Sequence, residues 1–175
     1  MKITNEIMKE IDGFAWFMKH FPQGEADAQE VFDKLAEYGE EFIALQLMSK
    51  LPKNDKLVDF KIINKRVFVY GSIRTERDIK TAILITSGSI KAEGFIEVGR
   101  FIKAGDSIEA DKHIKARGTI EAGGSIDAGG SIDAGGYIYA RYYIEAGGSI
   151  EAGGSIEARW CIRAGEHIKS CANKY

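Results

Sequence analysis

Gly123-Gly124-Ser125-Ile126-Asp127-Ala128-Gly129-Gly130-Ser131-Ile132-Asp133-Ala134 is one hexapeptide written twice. Isoleucine returns at every sixth position from Ile90 to Ile168. Two residues after each isoleucine stands a small residue, alanine everywhere except Val98 and Ser170. A fixed period this short is the signature of a solenoid. Six is a poor helical period, because residues six apart on an α-helix lie about 120° out of alignment. It suits an extended unit, in which isoleucine and alanine share one face and the residue between them points the other way. The Gly-Gly-Ser between units reads as a corner, with glycine expected to supply backbone angles that side chains forbid. Three units predict a triangular coil of roughly 18 residues, stacked about 4.8 Å above the last. The expected fold is therefore mainly β: a three-sided parallel β-helix with ladders of isoleucine and alanine inside it.

Working outward towards the N-terminus, the register extends back through Ile85, Ile79 and Ile73 to Val67-Phe68-Val69, with Thr75, Thr81 and Ser87 as small partners. Ile85 and Ile90 are only five apart, which predicts a tightened corner between them. Before the repeats, Ile7, Met8, Ile11, Phe14, Phe17 and Met18 recur at helical spacing. They predict one amphipathic helix from Thr4 to near His20, weakened at Gly13. A second is expected from near Glu25 to Tyr38, capped by Gly39, and a third from near Glu40 to Lys50. The chain thus divides into a three-helix cap over residues 1–56 and a β-helix over 57–175, the cap expected to cover the open first coil. Pro52 to Lys56 is the connector, and Leu57 to Ile63 alternates as a strand. The last coil has no helix after it and presents an open strand edge. A homodimer through that coil is one expected partnership.

With 24 basic and 26 acidic residues the net charge is −2, which argues against a generally basic nucleic-acid binder. No apolar run approaches membrane-spanning length, so no membrane association is expected. Two cysteines without metal-type spacing suggest a reduced, cytoplasmic protein, with no metal and no cofactor. His20, His113 and His167 lie far apart in sequence, no catalytic constellation emerges, and the chain reads as non-enzymatic. Cys161 beside Arg159 is a thiol without an evident base.

Two features stand out from the repeat. The outward residue alternates in sign through Lys91, Glu97, Lys103, Glu109, Lys115 and Glu121, and then becomes almost uniformly acidic: Asp127, Asp133, Glu145, Glu151 and Glu157, broken only by Tyr139. Residues 18 apart stack, so Glu109, Asp127 and Glu145 form one column, and Asp133 and Glu151 form part of another. Such an acidic surface is either a means of solubility or an imitation of a nucleic-acid backbone. The second feature is a pair of corners where glycine gives way. Arg141-Tyr142-Tyr143 and, one coil later, Arg159-Trp160-Cys161 occupy one corner. Tyr137 and Tyr139 lie just before them. Arginine with exposed tyrosine and tryptophan is the composition of a binding hot spot, or else of corner packing. Asp111-Lys112-His113 fills a different corner.

The repeat resembles those of bactofilins and hexapeptide-repeat proteins. The segment Gly13-Phe14-Ala15-Trp16-Phe17-Met18-Lys19-His20-Phe21-Pro22-Gln23-Gly24, leading through Ala-Asp-Ala-Gln-Glu-Val-Phe-Asp-Lys-Leu into such repeats, resembles proteins of phages and plasmids. β-Helical proteins of that origin include anti-CRISPR inhibitors, and the pentapeptide-repeat proteins, a related architecture, imitate DNA to occupy gyrase. This chain departs from the latter in its six-residue period and near-neutral charge. The resemblance implies a non-enzymatic inhibitor that binds a nucleic-acid-processing enzyme such as a Cas effector and blocks its DNA site, without binding nucleic acid itself. The expected contact residues are the acids Asp127, Asp133, Glu145, Glu151 and Glu157 with Tyr137, Tyr139, Arg141, Tyr142, Tyr143, Arg159 and Trp160. A self-assembling bactofilin-like scaffold is the alternative, and a hexapeptide-repeat acyltransferase the third reading; no catalytic residue carries over.

Overall fold

Ile102 pairs in register with Ile120, and Ile120 with Ile138, so each coil takes 18 residues and returns isoleucine above isoleucine. The computed structural model describes residues 1–52, 54, 57–59 and 66–171. The rest of the expected connector and strand, and the tail 172–175, lie outside them. Two short strands, β1 (Lys2–Thr4) and β2 (Glu25–Asp27), and four helices, α1 (Asn5–Lys9), α2 (Phe14–His20), α3 (Ala28–Tyr38) and α4 (Glu41–Lys50), precede a three-sided parallel solenoid of about six coils.

Its first face stacks β4 (Arg66–Val69), β7 (Ile83–Thr86), β10 (Ile102–Ala104), β13 (Ile120–Ala122), β16 (Ile138–Ala140) and β19 (Ile156–Ala158). The second stacks β3 (Leu57–Asp59), β5 (Ser72–Thr75), β8 (Ile90–Ala92), β11 (Ile108–Ala110), β14 (Ile126–Ala128), β17 (Tyr143–Ala146) and β20 (Cys161–Ala164). The third stacks β6 (Ile79–Thr81), β9 (Ile96–Val98), β12 (Ile114–Ala116), β15 (Ile132–Ala134), β18 (Ile150–Ala152) and β21 (Ile168–Ser170). Inside, the isoleucines from Ile90 to Ile150 are fully buried and pack with their alanines into one continuous core.

The short corner sits one side earlier than the spacing of Ile85 and Ile90 suggests. Leu84, not Ile85, lies beside Ile102, and Thr86, not Ser87, beside Ala104. The missing residue therefore falls between Thr81 and Leu84, and the first coil has 17 residues: Val67 pairs with Leu84, Ile73 with Ile90 and Ile79 with Ile96. Ile83 and Ile85 consequently point outward, yet are only 1% and 0% exposed. With Phe68 they join a second core built from Phe32, Leu35, Ile43 and Leu47 of α3 and α4.

The helices thus dock on the side of the rod, over the first coils of the first face. They also reach the rod's end: the Gln29 side chain donates to the carbonyl of Phe68 (3.1 Å) and accepts from the amide of Tyr70 (3.0 Å). One carbonyl and the amide two residues on are what a neighbouring parallel strand would engage, so this side-chain amide stands in for a missing strand on the edge of β4.

The expected first helix is two. α1 ends at Glu10, and Gly13 precedes α2 where a Cβ would lie 2.7 Å from Ile43 Cγ2 and from Met8 Cε; the chain turns there because α4 passes close by. The expected start of the second helix near Glu25 is instead strand β2, paired antiparallel with β1. Asp27 then caps α3 by accepting from the Gln29 amide at 2.9 Å, and Gly39 closes it in the left-handed region at φ 76°, as its position predicts.

The repeat glycines serve closeness rather than unusual angles. Among the described residues only Gly24, Gly39 and Gly71 have positive φ, and none is in the Gly-Gly corners. A Cβ on Gly135 would instead lie 2.0 Å from the Arg117 carbonyl oxygen of the coil below. We expect Gly135→Ala to cost about 1–3 kcal/mol through forced backbone movement, read from the urea midpoint. The fold should survive, since Arg117 and Arg141 show corners that admit side chains; an unchanged midpoint would contradict the close approach.

Candidate interaction surface

Alternating signs on a six-residue period acquire a consequence on a three-sided coil. Eighteen residues are three units, an odd number, so the residue one coil above always carries the opposite sign. The structure forms these pairs on two faces, Lys91 with Glu109 at 2.5 Å and Lys103 with Glu121 at 2.9 Å; on the third, Glu97 pairs instead with Lys80 of the short coil below at 3.3 Å. Each contributes modestly, roughly 0.2–1 kcal/mol. Beyond Glu121 the alternation stops and like charges stack.

The expected acids do not form one band. Asp127 and Glu145 lie on the second face, with Glu109 below them and Arg163 above. Asp133 and Glu151 lie on the third face. Glu157 lies on the first, above Tyr139. Several are already satisfied: Asp133 pairs with Lys115 at 3.2 Å, Glu151 lies 2.9 Å from His167 Nε2, and Glu157 accepts from the Ser155 hydroxyl at 2.9 Å. Asp127 has a carboxylate above it and another below.

Burial, then Glu145 and Glu109, push the carboxyl of Asp127 above its ordinary range, against an opposing pull from Lys91. The folded state therefore holds that proton more tightly than the unfolded chain. Ionisation costs stability above the raised value, and the cost fades as pH falls through it towards the ordinary carboxylate range. Asp127→Asn should accordingly stabilise the protein at neutral pH by roughly 0.2–1 kcal/mol, with the gain vanishing in acid. Urea unfolding at both pH values checks this; a loss of stability at neutral pH contradicts it.

The aromatic corner assembles as its spacing predicts. Tyr142 and Trp160 meet across one coil with ring centroids 4.9 Å apart and planes inclined by 36°, and Tyr143 pairs with Cys161. Trp160 is 70% exposed, the largest value among the described exposed apolar side chains. Arg141 and Arg159 are exposed on the same edge and form no ion pair among the described residues. Tyr139 lies in the middle of the first face, and Tyr137 precedes it at the opposite edge, both exposed. Tyr137, Tyr139 and Tyr142 therefore run as a stripe across the first face, towards the opposite end of the rod from the docked helices. The edge bearing Tyr142 and Trp160 borders the second face and the Asp127–Glu145 column, whereas Asp133 and Glu151 lie across the other edge, beyond Tyr137.

One hydrogen-bonded chain is not apparent from spacing alone. The Ser149 hydroxyl donates to Glu166 at 2.8 Å and lies 3.0 Å from His167 Nδ1, while His167 Nε2 lies 2.9 Å from Glu151. The residue types are those of a hydrolytic triad, but Ser149 is buried and directs its proton to Glu166. The group clasps the last two coils together. On the same corner, His113 stacks on Phe95 at 4.8 Å with planes 4° apart, and Lys80 sits over the other end of that stack. The stacking rule that exposed the Tyr142–Trp160 pair finds both groups once residues 18 apart are compared at the corners as well as on the faces.

No helix among the described residues is long and apolar enough to cross a membrane. No family model, no curated protein and no solved structure matches the chain.

Proposed function

We propose that this chain is a non-enzymatic inhibitor that docks on a nucleic-acid-processing enzyme, a CRISPR effector from a mobile element's host foremost, and obstructs its DNA site. The observation that carries this reading is the exposed Tyr142–Trp160 stack. Large side chains stand there at a corner where the repeat needs only glycine, beside two arginines that form no ion pair among the described residues and a column of carboxylates. Aromatic residues and arginine supply binding energy, while the carboxylates steer the surface towards a basic groove. The stripe Tyr137, Tyr139, Arg141, Tyr142 and Trp160 with Glu157, Asp127 and Glu145 is one contiguous surface centred on the Trp160 corner; Asp133 and Glu151 lie beyond its far edge, across the first face from Trp160.

The test is DNA cleavage by purified CRISPR effectors titrated with the protein. Trp160→Ala should weaken inhibition by about thirtyfold, as truncation of a central aromatic anchor does. Reversing Asp127 and Glu145 to lysine should weaken it further and flatten its salt dependence, whereas reversing Asp133 should not. Inhibition indifferent to all of these, or none against any effector, sinks the proposal.

A self-assembling scaffold is the second reading, favoured by β19 and β20, which among the described residues pair on one side only. Growth of filaments in light scattering across concentration would support it.

A further inference from the structure

The last coil is open in a way that the other end is not. Among the described residues, β19 and β20 pair only with β16 and β17 below them, and β21 stacks on β18. Ile156, Ala158, Ile162 and Ala164 are partly uncovered and Ile168 is 49% exposed, whereas their counterparts one coil below are buried. At the N-terminal end, β3 lies on β5 and Gln29 occupies the edge of β4.

We infer that this coil docks on the same coil of a second copy of the chain, and that the pair closes about a two-fold axis instead of growing into a filament. The pitch of the solenoid fixes the axis. Each coil climbs one strand spacing, so β19, β20 and β21 end at three successive heights. A two-fold perpendicular to the rod leaves equal gaps along all three strands only when it passes through the middle one, β20. That operation sets β20 antiparallel against its own copy and β19 antiparallel against β21 of the partner subunit.

The side chains suit this arrangement. Glu157 meets Lys169 of the partner subunit, and symmetry makes that pair twice. Reversal of strand direction sets Ile168 over the partner's Ala158 and Ile162 over the partner's Ala164, large against small throughout the interior. Arg163 meets its own copy at the axis, with Glu145 next below it in each column. Lys169 and Arg163 have no ion pair within the described chain. They are also the two positions where the run of outward acids ends; Lys169 makes the two β19–β21 contacts complementary in charge, as an isologous contact requires, while Glu145 beneath each Arg163 offsets the repulsion of the arginine pair at the axis. The inference is independent of what the aromatic stripe binds.

Sedimentation velocity of the full chain across a concentration series tests it. The expected result is a monomer passing to a dimer, with no larger species. Glu157→Lys and Lys169→Glu should each weaken the dimer by roughly tenfold, because symmetry doubles every change, and the combined exchange should restore it. Both side chains are on the outer surface, and far-ultraviolet circular dichroism checks that each variant keeps its fold. Hydrogen exchange should slow at the β19, β20 and β21 amides as dimer forms. A monomer at every concentration, a dimer indifferent to both reversals, or assemblies that lengthen with concentration overturns the inference.

Discussion

Ile85→Lys is expected to destabilise the protein by about 3–5 kcal/mol, although lysine is what the repeat itself places at the equivalent position one coil above. That equivalent is Lys103, which pairs with Glu121 on the surface of the first face. Ile85 occupies the same outward site but is fully buried against α3 and α4, in the core that Phe68 and Ile83 complete. A lysine there would leave an unpaired ammonium among Phe32, Leu35 and Leu47, which costs several kcal/mol unless the helices lift away. Lys103→Ile, by contrast, should change stability by less than about 1 kcal/mol, the loss of one surface ion pair. Urea unfolding followed at the helices and at the strands separately distinguishes the cases. The lysine variant should lose the helical signal first; equal, small shifts for both substitutions would return Ile85 to the interior ladder.

That position also marks where the sequence stops being legible by period alone. From Ile90 onward the hexads place every strand correctly, because inward and outward residues differ in kind: isoleucine and alanine against charge. Ile83-Leu84-Ile85 offers no such contrast, and either odd or even residues satisfy the spacing to one neighbour. The run itself carried the information. Three consecutive buried apolar residues, like Val67-Phe68-Val69-Tyr70, mean a strand covered on both sides, and hence a site where the helices must dock. The break of the first helix at Gly13 was hidden for a different reason: its cause is α4, thirty residues away, not a local preference.

For the candidate surface, vertical neighbours followed from the 18-residue coil, so the stacks Tyr142–Trp160 and Asp127–Glu145 were readable. What connects the columns around the rod was less so. Acids at 127, 133, 145, 151 and 157 look continuous in sequence, but three sides distribute them over three faces: Glu157 stands above Tyr139 within the aromatic stripe, Asp127 and Glu145 flank its Tyr142 edge, and Asp133 and Glu151 lie beyond its Tyr137 edge. The pairing of lysine with glutamate between coils was equally implicit, since it depends on the parity of units per coil rather than on any residue.

The same parity of construction makes the cost of removing an isoleucine depend on where along the rod it sits. Ile120→Ala, with intact coils above and below and no exposed surface, should cost about 2–5 kcal/mol: the side chain's transfer from water plus the cavity that flanking isoleucines Ile102 and Ile138 are too constrained to fill. Ile168→Ala deletes identical atoms from the same ladder position at the open end. There the side chain is already 49% exposed and has Ile150 on one side only, so the cost should stay below about 1 kcal/mol. In a solenoid each coil touches only its neighbours, so the difference should appear as a gradient in native-state hydrogen exchange, from fraying at β21 to near-global opening at β13. Measured at low concentration, a terminal substitution as costly as the central one would mean that the last coil is covered within the chain itself. Measured at high concentration, a cost for Ile168→Ala that rises with protein is the signature of a second copy closing over it.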